Sequence, residues 1–185
     1  MLRIETRPDR PPDMAAEAVP ALAAIGLERF APYLLNRITH CWNASMQTKV
    51  RAHGLSIIQM RTLAVLSVMP GATVNELAVH TVTEQSTMSR ALDGMVREGL
   101  VRRAPRRGDM RVRELHPTEK GIRAFERVWP VMHAALREMF AGISEEEYDT
   151  LIALLERVLR NNCQDGPLIG WGRDEPRVVS GGRNR

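Results

Sequence analysis

Residues 86–121 read STMSRALDGMVREGLVRRAPRRGDMRVRELHPTEKG, and the order of their parts decides the fold. Leu92, Met95 and Val96 on one side, with Ser86, Thr87, Ser89 and Arg90 on the other, predict an amphipathic helix. Thr83 is its expected N-cap and Gly99 its C-terminal stop. LVRRA (100–104) and MRVRELH (110–116) then flank PRRGD as two short strands of a hairpin. Alternation puts Val112 and Glu114 on one face and Arg111, Arg113 and Leu115 on the other. Between Arg90 and Arg113 stand eight arginines and three acids, a local charge of +5 in a chain whose total is +4. One basic segment in an otherwise near-neutral chain suggests a polyanion footprint on one face.

Upstream, apolar residues recur at Leu27, Phe30, Leu34, Ile38, Cys41, Met46 and Val50, predicting an amphipathic helix ended by Gly54, with Pro32 tolerated near its start. Ser56 and Gln59 carry capping-box spacing before a second helix that closes at Pro70-Gly71. Thr73 and Glu76 repeat the device for a short helix that stops near His80, before the β-branched TVT of 81–83. Downstream, a long helix is expected from about Thr118 to Ala141 through Ile122, Phe125, Trp129, Leu136 and Phe140, kinked by Pro130. Ser144 and Glu147 open a last helix through Tyr148, Leu151, Ile152, Leu155, Val158 and Leu159. Residues 1–26, Pro-rich and aperiodic through residue 20, are expected to form a flexible N-terminal arm, and 163–185 a mobile C-terminal tail.

Composition narrows the class. A chain of 185 residues is long enough for one domain with a sizeable core. Apolar residues make up 44% but aromatics only 4%, which suits a helical core better than a β-sandwich. No apolar run approaches the roughly 20 residues that cross a bilayer. The N-terminus has no apolar h-region, so a cytoplasmic protein with no membrane partner is the default. Cys41 and Cys163 form neither a CxxC pair nor a metal-ligand spacing, and no metal or cofactor is expected. His40, His53, His80, His116 and His133 are scattered without an HExxH arrangement, and there is no phosphate loop or GxSxG elbow, so no enzyme and no catalytic residue is expected.

A helix, a short helix, a tight turn, a second helix and a two-stranded hairpin make a winged helix-turn-helix. The expected fold class is therefore mainly α with a small β wing, flanked by long N- and C-terminal helices expected to serve dimerisation, because the apolar stripes of 27–50 and 148–159 are too long for the small winged lobe to cover and a dimer would bury them. In such a lobe the N-terminal residues of the second helix meet base edges in the major groove. Here those are Gln85, Ser86, Thr87, Ser89 and Arg90. Arg90 can pair bidentately with guanine and Gln85 with adenine.

The stretch 86–121 resembles the recognition helix and wing of the MarR family of bacterial transcription regulators. Thr87, Ser89, Arg90, Asp93, Gly99, Leu100, Val101 and Arg103 fall on the family's TxSRxxDxLxxxGLVxR pattern. Asp109 and Arg111 fall on its D-x-R, and Thr118 and Gly121 on the T-x-x-G that opens the next helix. Pro117 departs from the usual leucine and Gly94 from a commoner polar residue. The resemblance spans about residues 27 to 162. It implies a homodimerisation region of 27–54 and 117–162 and a DNA-binding lobe of 55–116, which together engage a palindromic operator on double-stranded DNA.

The resemblance also makes Arg111 the minor-groove arginine, oriented directly or through the neighbouring backbone by Asp109, with Arg106 and Arg107 as phosphate contacts. It implies, further, a repressor released by a small effector, often an aromatic carboxylate or phenol. Tyr33, Arg37, His40 and Gln59 are the candidate ligand residues, with Arg37 and His40 able to meet an anion.

Two other readings stand beside this one. A winged helix can bind a protein instead of DNA, and would then lack the steep salt dependence of phosphate binding. A thiol sensor would use Cys41, which the helical periodicity places among core residues, whereas peroxide-sensing members of the family carry their cysteine nearer the start of that helix.

Overall fold

The computed structural model describes residues 19–106 and 108–162. Expectations for residues 1–18, Arg107, Cys163 and the rest of the tail lie outside them. The chain divides into two units at Ser45/Met46.

The first unit carries a helical turn, α1 (Leu22–Ile25), a 3-10 turn at Leu27–Arg29, and most of α2 (Ala31–Arg51). The long helix therefore starts at Ala31 and not at Leu27. Phe30 is extended, at φ −91° and ψ 93°, and breaks the helical run there. Pro32 falls in the first turn, where its missing N–H costs nothing. Of the expected apolar stripe only Met46 and Val50, near the C-terminal end of α2, are buried. Leu27, Phe30, Leu34 and Ile38 are exposed.

The second unit contains α3 (Ile57–Val68), α4 (Val74–His80), α5 (Gln85–Arg97), the wing strands β1 (Val101–Arg106) and β2 (Asp109–Pro117), α6 (Glu119–Met139) and α7 (Glu145–Asn162). The Ser56/Gln59 and Thr73/Glu76 capping boxes form with both reciprocal bonds, as does the Ser144/Glu147 pair. Each satisfies two amides that a helix start leaves without a partner. Thr83 does not cap α5. Val82 takes the left-handed conformation at φ 52°, and the Thr83 hydroxyl turns back to donate to the Thr81 carbonyl, so Glu84 occupies the cap position without a side-chain bond.

α3 is the hub and packs against α4, α5, α6 and β2. Leu63, Leu66, Leu77, Met88, Leu92, Met95, Val101, Leu115 and Val128 are buried to within 2%. Such apolar burial stabilises by roughly 1.5–3 kcal/mol per large side chain. Met88, not the expected Val96, completes the inner face of α5; Val96 lies on the exposed flank. Thr62, fully buried, donates its hydroxyl to the Ile58 carbonyl, so its burial leaves nothing unpaired.

The family-like motifs meet where α5 ends and α6 begins. Gly99 at φ 69° terminates α5, its N–H donating to Val96 while the Leu100 N–H reaches Met95, the paired bonds of a Schellman end. Thr118 accepts from the Gly121 N–H as cap of α6, and its hydroxyl donates to the Gly99 carbonyl at 2.6 Å. A Cβ at Gly121 would overlap the Leu100 carbonyl oxygen. The T-x-x-G is thus a clamp that seats α6 on the end of α5.

α6 runs unbroken through Pro130 and buries Gly121, Ala124, Val128 and Ala135. Its bulky residues are less covered: Phe125 is half-buried, while Ile122 and Trp129 stand exposed. No residue of α7 is buried.

Candidate nucleic-acid interface

The two strands of the wing pair antiparallel from Val101↔Pro117 to Pro105↔Arg113, then slip so that Arg106 pairs with Asp109. Pro105 has no N–H to give the ladder, which accounts for the slip beginning there. At the base, the loop between α3 and α4 adds a Gly71 N–H bond to the Leu115 carbonyl and accepts the Leu115 N–H at Ala72. Leu115 is therefore buried, although Arg111 and Arg113 on the same alternating face are exposed.

Slippage lifts Met110 to Val112 out of the ladder, so the D-x-R segment begins at the last pair, with Asp109, and leaves the ladder at Met110 and Arg111. Asp109 Oδ1 accepts the Arg111 N–H at 3.0 Å, so the aspartate shapes the backbone that carries the exposed Arg111 side chain. Arg106 lies lower on the wing, its Nε donating to Glu114 Oε1 at 2.8 Å while His116 Nε2 lies 3.4 Å from the other carboxylate oxygen. The bond to Arg106 first, then that to His116, holds the half-buried Glu114 carboxyl below the usual carboxylate range. The same bond raises the Arg106 guanidinium. A guanidinium has five N–H donors, so one bond to Glu114 still leaves it able to meet a phosphate.

On α5, Gln85, Ser86, Thr87 and Arg90 are exposed and Ser89 is half-buried. They occupy the first two turns, on the side away from Met88, Leu92 and Met95. Arg90 folds back loosely, its Nε 3.3 Å from the Ser86 carbonyl and an Nη 3.5 Å from Thr87 Oγ1. Bonds this long yield easily to a better acceptor. Asp93 accepts from Arg103 at 2.7 Å, tying the middle of α5 to β1. Lys120 donates to the Glu98 carbonyl at the end of α5. The exposed helix face and the wing thus form one braced polar and basic surface.

Three partners were invisible to spacing rules. Glu114 looked like one alternating strand residue, Asn75 lies a helix away from Gln85, whose amide donates to it at 2.7 Å, and Asp93 precedes Arg103 by ten residues. Only the fold brings these pairs together.

The ligand candidates divide. Tyr33, Arg37 and His40 lie three and four residues apart on the exposed surface of α2, and His40 lines a groove of about 530 Å³ with Leu35, Asn36 and Asn43. Gln59 is half-buried and engaged: its Oε1 accepts the Ser56 N–H and its Nε2 donates to Glu98 Oε2 at 2.7 Å. Its amide braces the lobe, tying the start of α3 to the end of α5. Cys41 is exposed, against the expectation of a core position, because nothing in the first unit covers that face of α2. Among the described residues no group of His, Cys, Asp or Glu could hold a metal ion, and no helix is long and apolar enough to cross a membrane.

Comparison with known proteins agrees with this geometry. A MarR family model matches residues 53–111, from just after α2 to the wing tip. A MarR family transcriptional regulator from Silicibacter pomeroyi superposes with a TM-score of 0.72 at 43% identity, over 77% of this chain and 96% of that one. The transcriptional repressor IacR of Pseudomonas putida is 28% identical over 77% of this chain and 85% of its own length. CouR from Rhodococcus jostii, solved with p-coumaroyl-CoA, shares the fold at 21% identity and a TM-score of 0.63, over 74% of this chain and 94% of that one. The recognition helix, the D-x-R wing and the T-x-x-G clamp, together with these relatives, make the chain a member of the MarR family of DNA-binding transcriptional regulators.

Proposed function

We propose that this regulator is a repressor that binds a palindromic operator as a homodimer and is released by a small effector. The observation that carries the reading is the braced surface of α5 and wing. Gln85, Ser86, Thr87, Ser89 and Arg90 present donors and acceptors suited to base edges, with Arg90 aimed at guanine. Arg111, on the backbone shaped by Asp109, enters the adjacent minor groove, whose negative potential favours arginine. Arg106 and Arg107 take phosphates.

The homodimer accounts for the apolar faces of α2 and α7 that the chain leaves uncovered. A second copy would bury them and set two recognition helices about 34 Å apart, as two successive major-groove half-sites require. Repression is carried over from the Pseudomonas putida relative. An aromatic or anionic effector is suggested by the p-coumaroyl-CoA of the Rhodococcus jostii protein, with Tyr33, Arg37 and His40 as the residues to meet it.

Fluorescence anisotropy on duplex DNA across a salt series tests the reading. Binding is expected to weaken steeply, with log K falling about 0.9 per phosphate neutralised against log salt. A flat salt response would assign the surface to a protein partner.

A further inference from the structure

We propose that Asn75, on α4 and outside the recognition helix, is a positioning residue that fixes the donor–acceptor order of the Gln85 amide for reading adenine. The inference rests on the assignment of Gln85 as a base-contacting residue. Gln85 is the first residue of α5, and its Nε2 donates to Asn75 Oδ1 at 2.7 Å. The turn between the helices makes this contact possible. Val82 is left-handed, the Val82 N–H returns to Val79, and the Thr83 N–H returns to Ala78 at 2.9 Å. The Thr73/Glu76 capping box pins the start of α4, so Asn75 stands at a fixed point. The bonded pair lines one open concavity of about 590 Å³ together with Ala78, Val79 and Val82.

The chemistry follows from the symmetry of a primary amide. The last torsion of glutamine is broad and roughly two-fold, so a free Gln85 would offer its oxygen and its NH2 in either order. Adenine accepts only one order in the major groove, an acceptor for its N6 amine beside a donor for N7. When Asn75 Oδ1 takes one N–H of Gln85, the other N–H and Oε1 face outward in a set order. An aspartate at position 75 could only accept, and would hold the same order.

The test uses the full-length protein and a duplex that it has selected from a random-sequence library. Affinity is measured for all four bases at each position, for wild type, Gln85→Ala, Asn75→Ala, Asn75→Asp and the double alanine variant. Gln85→Ala is expected to erase an adenine preference of about five- to 150-fold at one base pair per half-site. Asn75→Ala should lower the preference at that same pair by about two- to fivefold, as the amide regains its second orientation. Asn75→Asp should keep the preference while weakening all duplexes alike through its charge. The double variant should match Gln85→Ala.

An unchanged preference in Asn75→Ala, a change at a different base pair, or an Asn75→Asp that flattens the preference as alanine does would overturn the proposal. Should Gln85→Ala flatten no position, the assignment of Gln85 to a base falls, and the role of Asn75 with it.

Discussion

The winged lobe and the last helix solve the same problem in opposite ways. From α3 to the base of the wing, side chains close on one another: Leu63, Leu66, Leu77, Met88, Leu92, Met95 and Leu115 are sealed from water. α7 has an equally regular apolar stripe, Leu151, Leu155 and Leu159, yet Leu151 and Leu155 are only half-buried and Leu159 is 39% exposed. The N-terminal two-thirds of α2 likewise buries nothing. Amphipathic pattern alone does not say what a helix packs on. In the lobe it meets the same chain, whereas on α7 it stays open, and the proposed second copy would cover it. Contiguous apolar surface of this kind marks an interaction site.

The largest expected effect falls on the incomplete side of that comparison. If the proposed second copy covers α7, Leu155→Asp would put an unpaired charge into that seam, at a cost far above the roughly 1.5–3 kcal/mol of the leucine contact it removes. Light scattering should find aggregates or a partly unfolded monomer, and DNA binding should be lost. A folded dimer with normal binding would mean that the interface between copies does not run through Leu155.

On the self-sufficient side, Gly121→Ala forces a Cβ against the Leu100 carbonyl oxygen. Overpacking against backbone typically costs about 1–3 kcal/mol, visible as a lowered denaturation midpoint. Thr118→Ala removes the cap of α6 and should cost about 1 kcal/mol. No change in either variant would show that the clamp between α5 and α6 is not a stability element.

At the surface, effects move from folding to recognition. Arg90→Ala should lose about 1–3 kcal/mol of discrimination at one base pair per half-site. Arg111→Ala should weaken DNA binding while stability shifts by no more than about 0.5 kcal/mol, as befits an exposed residue. A large stability loss in Arg111→Ala would make that arginine structural, and equal weakening of Arg90→Ala on all sequences would assign Arg90 to phosphate.

The smallest effect is titration of the wing. Glu114 is held below its ordinary range by Arg106, so its contribution is complete above the usual glutamate value and is lost as pH falls through the depressed one. Melting temperatures of wild type and Glu114→Gln should differ near neutrality and converge in acid. A constant difference across that range would detach the Arg106 bond from wing stability.

Much of the architecture was legible because its signals are local. Capping boxes at Ser56, Thr73 and Ser144, the stop at Gly99 and the T-x-x-G act within one or two turns, and each formed. Thr83 misled because the left-handed Val82, a turn feature with no glycine to announce it, consumes the cap. Val96 misled because period alone cannot rank positions on the edge of an apolar stripe. The polar braces of the site, Asn75 to Gln85 and Glu114 to Arg106, depend on elements brought together by tertiary packing.

Selection of duplexes from a random library by the full-length protein tests the central claim most directly. A dimer reading DNA through α5 and the wing predicts an inverted repeat whose half-site centres lie about one helical turn, 10 base pairs, apart. Enrichment of a single unrepeated site, or of no sequence at all, would contradict it.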